Sequence, residues 1–254
     1  FVAGGWSMKR IHKLITLSAT YRQSSRLTAR HLALDDQNRW ISRGPRFRLD
    51  AEAIRDNALA AAGILSLKMG GPPVRPIQPP GLWDNKVGGD KITYEVSAGE
   101  DRHRRSLYTD TRRSTPYPSF ATFDAPNRET CVIRRGRSNT PLQAFVTLND
   151  PVFVETSQAL ARRLLKEGGM TDDSRLRFIY SLCLSREPDA AELATLKTLL
   201  TKSVAQYKAD AALALKMATD PLGPADKGTD LPTLAAWTAV SSVIMNLDEF
   251  LMRR

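Results

Sequence analysis

The densest set of residues able to do chemistry lies between Arg102 and Asn149. From Arg102 to Arg137 there are nine Arg and no Lys, against only Asp110, Asp124 and Glu129. Arginine carries a planar fork of donors that matches carboxylate, phosphate or sulfate two bonds at a time. With Tyr108, Tyr117 and Phe120 interleaved, such a cluster could bind a sulfated or carboxylated polysaccharide, the forks taking the anions and the aromatic faces the sugar rings. On that reading the ligand-binding residues are Arg105, Tyr108, Arg112, Arg113, Arg134, Arg135, Asn139 and Gln143. The competing reading is structural. Arginines in an irregular segment also cross-link it, by pairing with acids and with backbone carbonyls that need partners once buried.

Paired carboxylates for glycosidic acid–base chemistry would be Asp124 and Glu129, which a loop could hold at the required separation. So many neighbouring arginines equally favour simple ion pairs. His103, inside Asp101-Arg102-His103-Arg104-Arg105, is a third candidate: adjacent cations disfavour its protonation and suit a neutral base, although a solvated loop histidine fits as well. A Cys–His nucleophile would require Cys131 beside His103, against an idle thiol as the alternative. Asp150 has a simpler account as a helix cap, with Asn149 and Gln143 holding the turn. Metal chemistry has no support, since His12, His31 and His103 are scattered and no CxxC pair or HExxH occurs. Glycine-rich phosphate loops, nucleophile elbows and dinucleotide fingerprints are likewise missing from the sequence.

The 254 residues, 42% hydrophobic and 25% charged, suit one large globular body and exclude a disordered tail or a disulfide-stapled miniprotein. The net charge of +10 is uneven: residues 1–150 hold 24 basic and 14 acidic groups, residues 151–254 hold 13 of each. Basicity raises the question of nucleic acid, but no basic recognition helix or RNA-binding aromatic signature accompanies it. Two cysteines leave the redox compartment open, and no apolar run reaches the roughly 18–20 residues of a membrane span. The chain starts at Phe1, in mid-pattern and without Met, and is read as part of a longer polypeptide.

The elements that must position these residues are mostly helices. Met8, Ile11, Leu14 and Ile15 predict a helix from Ser7 to Ser18; Asp50 is placed to cap a second, Ala51–Leu67, with a narrow stripe of Ile54, Ala58, Ala61 and Leu65. Its alanines require a close neighbour. Arg43, Arg46 and Arg48 with Asp50, Glu52, Arg55 and Asp56 read as a structural ion-pair network. Residues 70–140 are irregular and Pro-rich, with Lys91–Val96 and Ser106–Thr109 as short strand candidates and Gly88-Gly89 among the turn signals. Beyond, Asp150-Pro151 opens a helix through Phe153, Ser157, Leu160 and Leu164. Asp172 or Asp173 caps the next, through Leu176, Ile179 and Cys183. Asp189 caps a long one running to Leu215, and Leu231-Pro232 starts the last, with Leu234, Trp237, Ile244, Leu247 and Leu251 inward. The expected fold is mainly α: amino-terminal helices over 1–69, a loop-rich Arg-rich middle with a minor β element over 70–140, and a helical bundle over 141–254, as one continuous domain.

Several segments in fixed order resemble a known family: Trp6-Ser7-Met8-Lys9 running to Ser18-Ala19-Thr20-Tyr21-Arg22-Gln23-Ser24-Ser25, Arg48-Leu49-Asp50-Ala51-Glu52-Ala53-Ile54-Arg55-Asp56, Arg105-Ser106-Leu107-Tyr108, Phe123-Asp124-Ala125-Pro126, Arg134-Arg135, Thr140-Pro141-Leu142-Gln143-Ala144, Leu148-Asn149-Asp150-Pro151 and Asn246-Leu247-Asp248-Glu249-Phe250. They resemble the planctomycete-type, cytochrome-c-associated domain of unknown function found at the carboxy-terminal end of large secreted proteins. The resemblance implies a periplasmic or secreted protein, a companion domain upstream and a c-type haem domain upstream, with no cofactor in this chain. Three functions follow as expectations. The first is a module that binds or helps process anionic polysaccharide; the second is a docking scaffold for the upstream domains of the same polypeptide; the third is a hydrolase using Asp124 and Glu129.

Overall fold

The stretch Leu231–Met245 contains no charged residue, and a helix apolar on every side has to be enclosed. In the computed structural model, which describes residues 1–83 and 93–253, it is the centre of a mainly α protein. The chain divides into two compact units: Phe1–Leu49 with Met252–Arg254, and Asp50–Leu251.

The larger unit contains α3 (Ala51–Ala62), α4 (Pro118–Thr122), α5 (Pro141–Asn149), α6 (Pro151–Glu167), α7 (Asp172–Leu184), α8 (Ala190–Ala209), α9 (Ala211–Thr219), α10 (Leu231–Met245) and α11 (Asp248–Leu251). Helix α10 packs against α6, α8 and α9, and α6 packs in turn on α3. The core is Leu160, Leu164, Leu176, Ile179, Leu234, Trp237 and Ile244, all fully enclosed. The alanines of α3 have the expected close neighbour: Ala58, Ala61 and Ala62 are buried on the side that meets α6.

Local chemistry sets the helix ends. Asp150 accepts a hydrogen bond from the Val152 amide with Pro151 following, and Asp189 forms a reciprocal capping box with Glu192. Three ends differ from the sequence reading. Helix α3 stops at Ala62 because Gly63 takes a left-handed conformation at φ 77° and closes the helix there, leaving Leu65 outside. Asp50 stands at the N-cap position of α3 without bonding its amides, and pairs with Arg137 at 3.6 Å. Thr171, in a capping box with Ser174, caps α7 in place of Asp172 or Asp173.

The long helix expected to run from Asp189 to Leu215 is two helices. Asp210 leaves helical geometry and caps α9 by accepting from the Leu213 amide, which rotates the register so that Ala214 and Ala218 face inward and Leu215 is exposed. The last helix is also divided, at Asn246, into α10 and α11.

The minor β element lies elsewhere than expected. It is an antiparallel pair of β1 (Phe47–Arg48) and β2 (Met252–Arg253), in the smaller unit. Ser106–Tyr108 forms a 3-10 turn; burial of Ser106 and Thr109 repeats at three residues, the period of that helix, not the two of a strand. Residues 93–96 carry no strand, while Lys91, Ile92, Gly88 and Gly89 lie outside the described residues. Single parallel bridges, Ser66 to Arg104 and Val74 to Thr109, hold the middle segment to the chain after α3.

The smaller unit contains α1 (Met8–Leu17), α2 (Ala29–Leu34) and the β1–β2 pair. Ser7 caps α1 by accepting from the Arg10 amide, as the sequence implied. Only Asp35, Gly44 and Arg48 are buried among the described residues of this unit. Its ordering centre is polar: the Asp35 carboxylate accepts from the amides of Arg39 and Trp40 and from the Ser42 hydroxyl, while Arg43 donates to the carbonyls of Asp35 and Asp36.

The register break at Asp210 makes a direct test available. Leu160→Ala should lower unfolding free energy by about 2–5 kcal/mol in a urea titration, whereas Leu215→Ala should stay within about 0.5 kcal/mol of the parent. An unbroken helix would make Leu215→Ala costly as well.

Candidate functional site

Arg55, on the fourth position after the N-terminus of α3, is 1% exposed. Its guanidinium donates to the carbonyls of Arg104 (2.9 Å) and Arg102 (3.0 Å) and to the Ser106 hydroxyl (3.2 Å). The neighbouring Asp56 carboxylate accepts from the Ser106 amide at 2.7 Å and faces Arg105 at 3.8 Å. One turn of α3 therefore fixes the backbone from residue 102 to 106. Coil segments have no ladder to satisfy their carbonyls, and a buried forked cation satisfies several at once.

The other arginines continue this pattern. Arg104, as buried as Arg55, donates to the carbonyls of Pro72, Lys68 and Gly70 and stacks on the Tyr108 ring at 3.8 Å. The Tyr108 hydroxyl in turn accepts from the Gly70 amide. Arg112 lies over the Trp83 ring at 4.4 Å, with Arg75 on the same ring and paired with Asp110 at 3.0 Å. Arg102 donates to the Pro221 carbonyl and lies 2.6 Å from Glu155 Oε1. His103 Nε2 approaches the same oxygen at 3.0 Å, so His103 is engaged with α6, while Cys131 is exposed on a different loop.

Asp124 and Glu129 are each held within their own loop. Both oxygens of Asp124 accept from Ser138, whose amide donates at 2.6 Å and whose hydroxyl lies at 2.8 and 3.0 Å. This clamp keeps Asp124 in left-handed backbone at φ 60°, an uncommon state for any residue but glycine. Gln143, buried on α5, extends the network by donating to the Ser138 hydroxyl and the Thr122 carbonyl. Glu129 accepts from the Asn127 side chain and faces solvent. Asn149 donates to the Phe145 carbonyl, a turn-holding role.

Beside this loop is a cleft of about 350 Å³ lined by Tyr117, Phe120, Pro126, Arg128, Glu52 and Arg135. Glu52 and Arg135 form a two-point ion pair across it, at 2.6 and 3.1 Å. Burial pushes the Glu52 carboxyl up, but the bonds from Arg135 and the charge of Arg128 outweigh it and hold the carboxyl below its usual range. Tyr117 forms the buried floor and donates to the Ile77 carbonyl; burial pushes its phenol up. Arg128 stands exposed at the rim, also in left-handed backbone. Arg113, Arg134 and Asn139 are exposed as well.

The structure thus separates the sequence candidates by partner. Arg105 and Tyr108 bind the frame around α3, Arg112 stacks on Trp83, Arg135 closes the cleft, and Gln143 serves the Asp124 clamp. Arg43 donates to the carbonyls of Asp35 and Asp36, while Glu52, Asp50 and Asp56 pair with Arg135, Arg137 and Arg105. Glu155 escaped the sequence reading, although it is the single charge between Pro151 and Ala161, on a helix enclosed nearly all round. Among the described residues no three His, Cys, Asp or Glu side chains gather as a ligand set. Cys183 is free and partly enclosed, and burial pushes its thiol up to about 12.

Two stability predictions follow from this geometry. Arg55→Met strands the carbonyls of Arg102 and Arg104, so it should cost roughly 3 kcal/mol or more in urea unfolding and open residues 99–110 to proteolysis first. Burial raises the Asp150 carboxyl to about 6, against the opposing pull of the Val152 amide and Arg55. An unfolded Asp titrates near 4, so folding takes up a proton between about pH 4 and pH 6. The stability this adds is full below about pH 4 and is lost as pH rises through about 6. Asp150→Asn keeps a cap oxygen and removes the proton uptake, so the gap between parent and variant should change by at most about 3 kcal/mol from pH 4 to 7.

Comparison with known proteins gives a family and nothing narrower. No curated protein and no solved structure matches the chain. The family model PSD1, described as a protein of unknown function (DUF1553), matches residues 1–200 and so includes both Arg55 and the cleft. Since the match covers well over half of the sequence, the chain belongs to the PSD1 family, the planctomycete cytochrome-c-associated domain that its motifs resemble.

Proposed function

We propose that this chain is a docking scaffold within a larger extracytoplasmic protein, holding neighbouring polypeptide in place without turning over a substrate. The internal engagement of the arginine cluster supports this reading above all. Arg55 and Arg104 bind backbone carbonyls, Arg102 binds Glu155, Arg105 faces Asp56, and Arg135 binds Glu52. A binding surface for free anions needs unengaged forks pointing outward, whereas these stiffen a segment whose described residues form mostly irregular structure. The upstream companion and c-type haem domains implied by the family resemblance are natural neighbours for such a scaffold, and a periplasmic or secreted setting goes with them. No described helix is long and apolar enough to cross a membrane.

The cleft supports a second reading, the binding of an anionic polysaccharide. Arg128 and Arg135 flank aromatic side chains there, and Arg113 and Arg134 are exposed in the same segment. The hydrolase reading gains no such support, because Asp124 and Glu129 are occupied separately by Ser138 and Asn127.

Retention on immobilised dextran sulfate, polygalacturonate and neutral dextran decides between the two. A scaffold of net charge +10 should leave the anionic columns by about 0.2 M salt, as screened surface attraction does, and a folded Arg113→Ala, Arg134→Ala variant should elute almost with it. Salt-resistant retention of the parent, lost in that variant, would establish the polysaccharide reading in place of the scaffold.

A further inference from the structure

The smaller unit has an unusual balance of surface. None of its described apolar side chains is buried, and Trp6, Met8, Leu14, Leu17, Leu34 and Trp40 are all exposed. Large apolar patches on one small unit mark an interaction face. The same unit is intensely basic. Residues 1–49 carry ten Lys and Arg against Asp35 and Asp36, with no acid at all in the first 34 positions. Most of the excess charge of the chain is therefore concentrated where its apolar surface is uncovered.

A groove of about 600 Å³ runs between the first residues and α1, lined by Phe1, Ile11, Leu14 and Leu17 together with Arg10 and Lys13. The Arg10 guanidinium lies against Gly4, where a Cβ would come within 2.7 Å of it. The cations share the groove with the apolar side chains. A concave groove seats a polypeptide segment between its walls, which the flat surface of a bilayer does not do. A second copy of the chain would bring +10 against +10. The ligand that fits has apolar side chains and carboxylates within a few ångströms of one another, as an amphipathic acidic helix has.

We propose that the groove on α1 is a docking site for a polypeptide segment whose apolar side chains are flanked by Asp or Glu. This rests on the scaffold reading and names the surface and the chemistry it uses. Leu14 and Leu17 supply apolar contact, while Arg10 and Lys13 select against neutral or basic segments.

Selection of a random displayed-peptide library against the intact chain tests it. Enriched peptides should be acidic and apolar, should slow amide exchange in α1 about tenfold, and should bind at least about tenfold more weakly to a Lys13→Glu variant. Leu14→Gln, at a position already exposed, should weaken them similarly, and circular dichroism of both variants should match the parent. Neutral or basic winners, or peptides that bind both variants as tightly as the parent, would overturn the proposal. So would retention on phosphatidylglycerol vesicles that the peptides fail to displace, which would point to a membrane. Acidic peptides that protect only residues 50–251 would overturn this site and leave the scaffold reading standing. No enrichment beyond an unrelated basic protein would count against both.

Discussion

The buried guanidinium of Arg55 is the interaction on which the larger unit depends. A segment with many prolines and, among its described residues, no strand pairs few of its own carbonyls, and burying the rest unpaired would cost more than its few aromatic contacts return. Arg55 resolves this from the one place that is already rigid, a helix packed on α6. From it the order spreads outward: Ser106 is fixed by Asp56, the backbone of Arg104 is held so that its own side chain reaches three further carbonyls, and Tyr108 closes over the result. The loop is ordered by cations much as a core is ordered by apolar contact, except that direction matters at every bond.

That arrangement bears on function. An arginine whose donors meet carbonyls cannot also take a sulfate, so a high count of arginines is a poor guide to an anion site until their partners are known. Here the arginines nearest the helical frame are engaged, whereas Arg113, Arg128 and Arg134 are exposed and outlying. The left-handed backbone of Asp124 and Arg128 beside the cleft is a local strain, and in Asp124 the Ser138 clamp compensates for it.

The two units illustrate different ways of ordering a chain. Residues 50–251 bury a continuous apolar core centred on the uncharged α10. The smaller unit has polar centres, the Asp35 turn and the contact of Gly44 with the chain at Ser24, where a Cβ on Gly44 would meet the Gln23 carbonyl at 2.6 Å. Hydrogen bonds of this kind define a conformation yet contribute little net free energy each. Such a unit keeps its apolar side chains available for something else to cover.

Helix type and most caps were legible in the sequence, because periodicity and capping act over three or four residues: Ser7, Asp150-Pro151 and Asp189 all cap where their neighbours require. The inward stripe of Phe153, Ser157, Leu160 and Leu164 was legible for the same reason. The break at Asp210 was harder to see, since apolar spacing continued through it and only the cap geometry shows the change of register. The 3-10 turn at Ser106 imitated a strand because four residues cannot distinguish a period of three from a period of two. Above all, local patterns could announce a cluster of arginines but not assign their partners. Whether a guanidinium meets a carbonyl, a carboxylate or solvent depends on chain segments some 50 to 80 positions away, as Arg55 with Arg104 and Arg135 with Glu52 show. The sequence by itself determined which residues could bind anions; tertiary structure decided which of them were already bound, because only folding brings those distant partners within reach.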